Sequence, residues 1–212
     1  MKTADLIFAL SSSASPARGA PVRRRLAAAA ALGAVVAFVV LAGWLGVRPL
    51  TIAADTPSFW MKVGYTLCIS LAGLELVGRL SRPDGRPHAG LIIIILIVAV
   101  MAVLAGVELA RTPRVDVAEV WLGQSWSQCP FRILALGVPV YLAIVWVMRR
   151  LAPTRLGMAG AAAGTLAGAV GATVYGLYCQ ETTAAFVATW YTLGIAASAA
   201  LGGLIGSRLL RW

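Results

Sequence analysis

The sequence predicts an all-α membrane protein with six transmembrane helices and no separate soluble domain. Of its 212 residues, 60% are hydrophobic and only 12% are charged, whereas soluble domains average about 45–50% apolar and about 25% charged residues. The segment 91–110 carries a single charged residue, Glu108. As a helix it is long enough to cross the hydrocarbon core of a bilayer. Because lipid offers backbone groups no hydrogen-bond partners, a helix is the structure expected there.

Five further apolar segments resemble 91–110 in length. The first follows Arg23–Arg25, and at about 22 residues it exceeds the apolar core of a secretory signal, so we expect a retained helix. The predicted spans are 26–47, 59–80, 91–110, 131–148, 156–178 and 186–210. Residues 26–212 therefore form one transmembrane domain, preceded by a tail of residues 1–25.

The distribution of basic residues predicts the orientation. Thirteen of the 18 Lys and Arg residues fall in the tail and in the segments on one side of the predicted spans, and five fall on the other. The positive-inside rule places the richer side, with both termini, in the cytoplasm. The same rule explains the net charge of +10 without nucleic acid as a direct partner.

The first ten residues, MKTADLIFAL, form a short amphipathic segment. Thr3 or Asp5 can cap a helix start, after which Leu6, Ile7 and Leu10 share one helix face. The segment is too short for a stable isolated helix in water. It is therefore either a frayed tail or a peptide that docks its apolar face on a partner. Residues 11–21 are small and polar, which is typical of a flexible linker.

Two of the three cysteines are expected beyond the membrane on the outer side. Cys129 precedes the fourth span and Cys179 ends the fifth. They can form a purely structural disulfide, because the exterior is oxidising. Alternatively, in a half-exposed setting of low polarity, they can hold a soft metal ion transiently. Cys68 lies in the middle of the second span, where we expect a small packing residue.

Charged residues within the predicted spans raise the alternative of a small transporter or channel. Glu75 and Glu108 lie near span ends, and acids in such positions are often functional. Each also has a basic neighbour on its own helix, Arg79 or Arg111, for a local ion pair. Lys62 is expected to extend its amine to the outer interface. No nucleotide loop, nucleophile–base set or paired-carboxylate site is apparent, so we predict neither an enzyme nor a resident cofactor.

Small residues recur every four positions in the last two spans. The fifth span carries Gly160, Gly164 and Gly168, and the sixth carries Gly194 and Gly202 with Ser198 between them. This spacing places each set on one helix face, where small side chains let two backbones approach closely. We predict that the two stripes face each other or a neighbouring span. Contacts between two copies of the chain remain open, as does the oligomeric state.

Several ordered motifs point to a known family. They include MKTADLI, GVRP, FWMKVGYT, GQSWSQC, LAPTRLGMAGAAAG, YGLYCQETTAAFVATWY and the terminal GSRLLRW. Together they resemble the NrsF-type family of bacterial membrane anti-sigma factors, named as negative regulators of sigma F. The resemblance covers essentially the whole chain, and Met1–Leu10 matches its N-terminal motif.

This resemblance implies a signalling protein of the bacterial inner membrane. Its partner would be an extracytoplasmic-function sigma factor, which the protein keeps from RNA polymerase. Cys129 and Cys179 match the two outer cysteines that the family links to metal or oxidative stress. From its side of the membrane and its apolar face, we expect the tail to contact the sigma factor. The residues concerned are Lys2, Thr3, Asp5, Leu6, Ile7 and Leu10. A transporter, or a structural subunit of a larger membrane complex, is the competing class.

Overall fold

A computed structural model describes Thr3 and residues 22–82, 87–151 and 153–211. Six of its helices are long and apolar enough to span a membrane, which confirms the predicted fold class. We number them as spans 1 to 6 in chain order. Their bounds are Val22–Trp44, Pro57–Leu80, His88–Arg111, Cys129–Met148, Leu156–Tyr175 and Ala184–Leu209. The described residues contain no strand.

Local sequence accounts for several details of these helices. Proline stands in the first turn of span 2 and of span 4, where the missing N–H is not needed. Two short helices, Leu50–Ala54 and Val117–Leu122, lie in the connections after spans 1 and 3. Span 6 contains a π-helical turn at Val187–Tyr191, and such turns are frequent at functional sites.

Span 5 is the central helix of the bundle and the most buried of the six. It packs against spans 1, 2, 4 and 6, and its contact with span 6 is the most extensive. A Cβ placed on Gly168 would lie 2.8 Å from the Cβ of Ser198, and one on Gly171 would lie 2.7 Å from the carbonyl oxygen of Ile133. Glycine at these positions is therefore what allows the helices to approach so closely.

The predicted small-residue stripes lie against one another in the structure. Gly160 contacts Gly202, and Gly164 contacts the backbone of Ser198. Gly194 instead faces Ile133 of span 4. The outer surface of the bundle is apolar: Ile95 and Val103 of span 3 are 63% and 65% exposed. Large apolar residues on an outer surface match a lipid environment.

Successive spans alternate in direction, so the bundle has two distinct ends. The cysteine end carries Cys129, Cys179 and the start of span 2, and Arg48 beyond span 1 donates its N–H to the carbonyl of Leu177 there. The arginine end carries the exposed Arg149, whose Nε donates to the carbonyl oxygen of Leu209 at 2.6 Å.

Candidate functional site at the cysteine end

Both candidate cysteines are buried free thiols at the same end of the bundle. Cys129 is 0% exposed and Cys179 is 2% exposed, so the expectation of a half-exposed setting was wrong. They belong to one apolar cluster that also contains Tyr175, Phe186 and Tyr191. The start of span 6 covers them, which is a contact between distant parts of the chain that loop spacing does not reveal.

The turns that hold the two thiols are short and hydrogen-bonded. Cys129 is the first residue of span 4, and its N–H donates to the carbonyl of Ser125 at 2.9 Å. Cys179 ends the turn that follows span 5, and its N–H donates to the carbonyl of Tyr175 at 3.0 Å. Each cysteine is thus fixed to the end of one rigid helix.

Lys62 departs most from its predicted position. Its side chain is only 1% exposed and turns into the protein, so the expected extension to the interface was wrong. The ammonium Nζ donates to the carbonyl oxygens of Cys179 at 3.0 Å and of Glu181 at 2.5 Å. Span 2 is therefore tied directly to the segment 179–181. A lysine within an apolar span was the available signal, since such residues are functional by default.

The carboxylate of Glu181 ties the same segment to the chain before Cys129. Its Oε1 accepts hydrogen bonds from the N–H of Gln124 at 2.9 Å and from the N–H and Oγ of Ser125 at 3.1 and 3.0 Å. Gly123 has φ +59°, and a Cβ there would lie 2.6 Å from the other carboxylate oxygen. Glycine is required at this position both by the backbone conformation and by the space.

A cavity of 290 Å³ reaches this site from the surface. Its walls include Cys179, Tyr175, Tyr178, Arg132, Glu181 and the exposed Gln128. The hydroxyls of Tyr175 and of the neighbouring Tyr191 are buried and have no hydrogen-bond partner among the described residues. Arg48 lies nearby, with its guanidinium 5.2 Å from the centre of the Phe59 ring.

The chemistry that this arrangement offers is that of a thiol pair. Thiols can be oxidised to a disulfide, or bind a soft metal ion as thiolates. No group of three or more His, Cys, Asp or Glu residues is gathered within the described ranges. The site therefore lacks the four protein ligands of a closed zinc centre, and Cys129 and Cys179 are the ligands it offers to a soft ion.

The loop between spans 3 and 4 covers the start of span 6. The indole N–H of Trp121 donates to Thr189 at 3.1 Å, and that of Trp190 donates to the carbonyl of Trp121 at 3.0 Å. The ring of Trp126 lies 5.4 Å from that of Trp190. This aromatic cluster holds the loop, and with it Ser125 and Cys129, against the bundle.

The two acids within the spans have structural partners and lie at opposite ends of the bundle. Glu75 and Arg79 form the expected pair, at 3.0 Å. Glu108 does not pair with Arg111; its Oε2 accepts the N–H of Ala185 at 2.8 Å. That contact satisfies an unpaired donor at the start of span 6, which was not foreseeable from the neighbours of Glu108 on its own helix.

Two further expectations concern residues away from this site. Cys68 is exposed on the outside of span 2, so the prediction of a packing residue was wrong. The predicted docking segment Met1–Leu10 lies, apart from the exposed Thr3, outside the described residues.

Comparison with known proteins identifies the family. The model of a family described as negative regulator of sigma F matches residues 10–212. The anti-sigma-F factor NrsF of Caulobacter vibrioides (strain NA1000 / CB15N) is 44% identical over 214 residues, and the match covers 100% of both chains. The probable anti-sigma-F factor NrsF of Azospira oryzae is 39% identical over 213 residues, again with 100% of both chains covered. No solved structure matches the chain.

The family match and the two relatives agree. The family model begins at residue 10, whereas both relatives align with the whole chain, including the segment before it. This agreement extends over all six spans and over the cysteine end described above. The chain therefore belongs to the NrsF family of negative regulators of sigma F, a family of regulatory rather than catalytic proteins.

Proposed function

We propose that this protein is a membrane anti-sigma factor. It binds an extracytoplasmic-function sigma factor at the bacterial inner membrane and releases it when Cys129 and Cys179 react with a metal ion or an oxidant. The observation that supports binding of a sigma factor is the full-length identity of 44% to an anti-sigma-F factor. A sigma factor held at a membrane is kept from RNA polymerase without any catalytic step.

The charge distribution supports an orientation with the arginine end in the cytoplasm. Exposed arginines of the described residues gather there, in the first turn of span 1, after span 2 and around the connection from span 4 to span 5. Basic residues next to membrane spans are retained on the cytoplasmic side. The arginine end and the N-terminal tail then face the sigma factor, and the cysteine end faces outward.

The sigma factor's contact on this chain is proposed to be the segment 1–10. Its apolar residues Leu6, Ile7 and Leu10 suit a hydrophobic groove on the partner. The connections 79–89 and 149–155 lie on the same side and carry arginines. Their positive charge speeds association with an acidic surface more than it tightens the complex.

The signal would pass from the thiols through the spans to which they are attached. Cys129 begins span 4, and Cys179 follows span 5. A new bond between the two sulfur atoms, or to a metal ion, moves the ends of these helices relative to each other. Both spans continue to the arginine end, so the shift reaches the surface that faces the sigma factor. Such coupling requires two arrangements of the bundle that both sites bias.

Deletion of the gene tests the anti-sigma role. We expect transcription from the sigma factor's promoters to rise in the deletion strain and to fall again when the full chain is supplied. A matched control supplies the chain with Gly106→Leu, at a glycine with no atom within 4 Å of an added Cβ. It should restore repression equally well. Unchanged transcription in the deletion strain would contradict the proposal, and a transporter would have no direct effect on these promoters.

A further inference from the structure

The two thiols of the cysteine end differ in their access to the outside. Cys179 lines the cavity of 290 Å³ that reaches the surface, whereas Cys129 does not line it. Cys129 is 0% exposed and belongs to the same apolar cluster as Cys179. A small reagent that enters this cavity therefore meets Cys179 first.

The two thiols also differ in their relation to Lys62. The ammonium Nζ lies 3.0 Å from the carbonyl oxygen of Cys179 itself, which is the cysteine that lines the cavity. Within the described parts of the chain, Lys62 is the one charged side chain that is buried. Two carbonyl oxygens are its hydrogen-bond acceptors, and neither carries a full negative charge. An ammonium in such a setting strongly favours a neighbouring anion, because water screens the attraction little.

Two arginines and one carboxylate also lie near this site, and within the described residues none of them is hydrogen-bonded to Cys179. Glu181 has its carboxylate directed to Gln124 and Ser125, and it reaches Lys62 through its backbone carbonyl instead. Arg48 lies over the ring of Phe59, and Arg132 lies over the ring of Tyr178. Lys62 therefore remains as the cation that is held on the backbone of Cys179.

The cavity is lined by polar as well as apolar groups, so a small polar molecule can be accommodated beside Cys179. The hydroxyl of Tyr175 is buried without a hydrogen-bond partner, and Tyr175 lines the cavity beside Cys179. The hydroxyl of Tyr191, in the same cluster, is likewise buried and without a partner. Buried polar atoms without partners are rare in folded proteins and call for an explanation. Water, or another small oxygen-containing molecule in the cavity, would supply a hydrogen-bond acceptor there.

We infer that the cysteines have different roles: Cys179 is the thiol that attacks a hydroperoxide, Lys62 stabilises its thiolate, and Cys129 resolves the product. The inference rests on the proposed function only where it links this chemistry to release of the sigma factor. The chemistry itself can be measured on the purified chain. Lys62 is a positioning residue here, because it acts through the charge state of Cys179.

The reaction has two balanced steps. The Cys179 thiol gives its proton to water, and the thiolate attacks one peroxide oxygen. The S–O bond forms, the O–O bond breaks, and the leaving oxygen takes up a proton as water or an alcohol, so the sulfur is oxidised and the peroxide is reduced. The sulfur of Cys129 then attacks that of Cys179. The S–S bond forms, the S–O bond breaks, and hydroxide leaves with the proton of Cys129 as water.

Trapping of the sulfenic acid tests which thiol attacks. The full chain, purified in nanodiscs, is treated with hydrogen peroxide and dimedone, and the labelled residue is identified by mass spectrometry. We expect Cys129→Ser to accumulate dimedone at Cys179, and Cys179→Ser to leave Cys129 essentially unlabelled. Equal labelling of both variants, or labelling of Cys129 alone, would overturn the assignment.

Substitution of Lys62 tests its role in the same assay. We expect Lys62→Met to slow oxidation of Cys179 by about tenfold or more, and Lys62→Arg to retain most of the rate. Ser70→Ala, on the same buried face of span 2, is the matched control and should leave the rate unchanged. An unchanged rate in a monodisperse Lys62→Met protein would contradict the role of Lys62. If that variant does not fold, the dimedone experiment still decides which thiol attacks.

The two proposals fail in different ways. If the purified chain shows the predicted thiol chemistry but both serine variants respond normally to peroxide in cells, the sensing role fails and the chemical assignment stands. If cells lose the response while dimedone labels both thiols equally, the sensing role stands and the assignment is wrong.

Discussion

Ser125 donates two hydrogen bonds to the carboxylate of Glu181, from its N–H at 3.1 Å and from its hydroxyl at 3.0 Å. This relationship joins the segment before Cys129 to the segment after Cys179. Lys62 fastens the second of these segments to span 2. The cysteine end is therefore a hydrogen-bonded network that joins spans 2, 4 and 5.

Removal of the Glu181 carboxylate should loosen this network. We expect Glu181→Ala to lower the free energy of unfolding by about 1–3 kcal/mol, because three donors lose a charged acceptor. It should also make the thiols react faster with maleimide, since the loop that holds Ser125 and Cys129 against the bundle is released. Thermal unfolding and labelling rates of the purified protein measure both effects. Glu119→Ala, at an exposed acid in the same loop, is the control, and an equal effect there would contradict the specific role of Glu181.

The close approach of spans 5 and 6 predicts a strong effect at Gly168. A Cβ there meets Ser198 at 2.8 Å, so Gly168→Leu must separate the helices at a cost of about 1–3 kcal/mol or more. Thermal unfolding of the purified protein should show a lower midpoint. Gly106→Leu, where an added Cβ has no neighbour within 4 Å, should change it little. Identical melting curves for the two variants would show that the contact does not limit stability.

Glu108 and Glu75 should differ in their contribution to stability. Glu108 accepts the N–H of Ala185 at the start of span 6, and loss of a helix cap of this kind costs about 0.5–2 kcal/mol. Glu75 forms an exposed pair with Arg79, and such pairs contribute about 0–1 kcal/mol. We expect Glu108→Ala to lower the free energy of unfolding more than Glu75→Ala does. Unfolding measurements on the two purified variants check this, and an equal effect would contradict it.

The same two variants test the transporter alternative. A structural role for both acids leaves repression of the sigma factor's promoters intact wherever the variant still folds. Loss of a solute or ion flux in both variants, with repression unchanged, would favour a transport pathway instead.

The cysteine pair should be required for induction and not for assembly. We expect Cys129→Ser, Cys179→Ser and the double variant to insert in the membrane at normal levels and to repress the promoters. Their response to a soft metal ion or an oxidant should be lost or strongly reduced. Cys68→Ser, at an exposed cysteine outside the apolar cluster of the pair, is the control with a normal response. Normal induction in the double variant would show that these cysteines are not required for sensing.

Properties of single segments were well predicted from the sequence. Long apolar runs predicted six helices long and apolar enough to span a membrane, and the glycine spacing predicted a close face on spans 5 and 6. Both depend on local periodicity and on the thickness of a bilayer. The pair of Glu75 and Arg79 is local in the same sense, because its members are four residues apart on one helix.

Contacts between distant segments were not predictable. Lys62 turns inward because the carbonyls of Cys179 and Glu181, at the end of a different span, need donors. Glu108 accepts a hydrogen bond from the N–H of Ala185, 77 residues further along the chain, and does not pair with Arg111 on its own helix. The cysteines are buried because span 6 packs over them, which neither loop reveals. Each of these outcomes depends on the arrangement of the helices, and hydropathy carries no information about it.

The most direct test of the anti-sigma role is a pull-down of the tagged protein from membranes, with and without residues 1–10. We predict that a sigma factor co-purifies with the full chain and is lost when the segment is removed. Retention of the sigma factor without the segment would move the contact to the connections 79–89 and 149–155. Absence of any sigma factor from both preparations would contradict the proposed function.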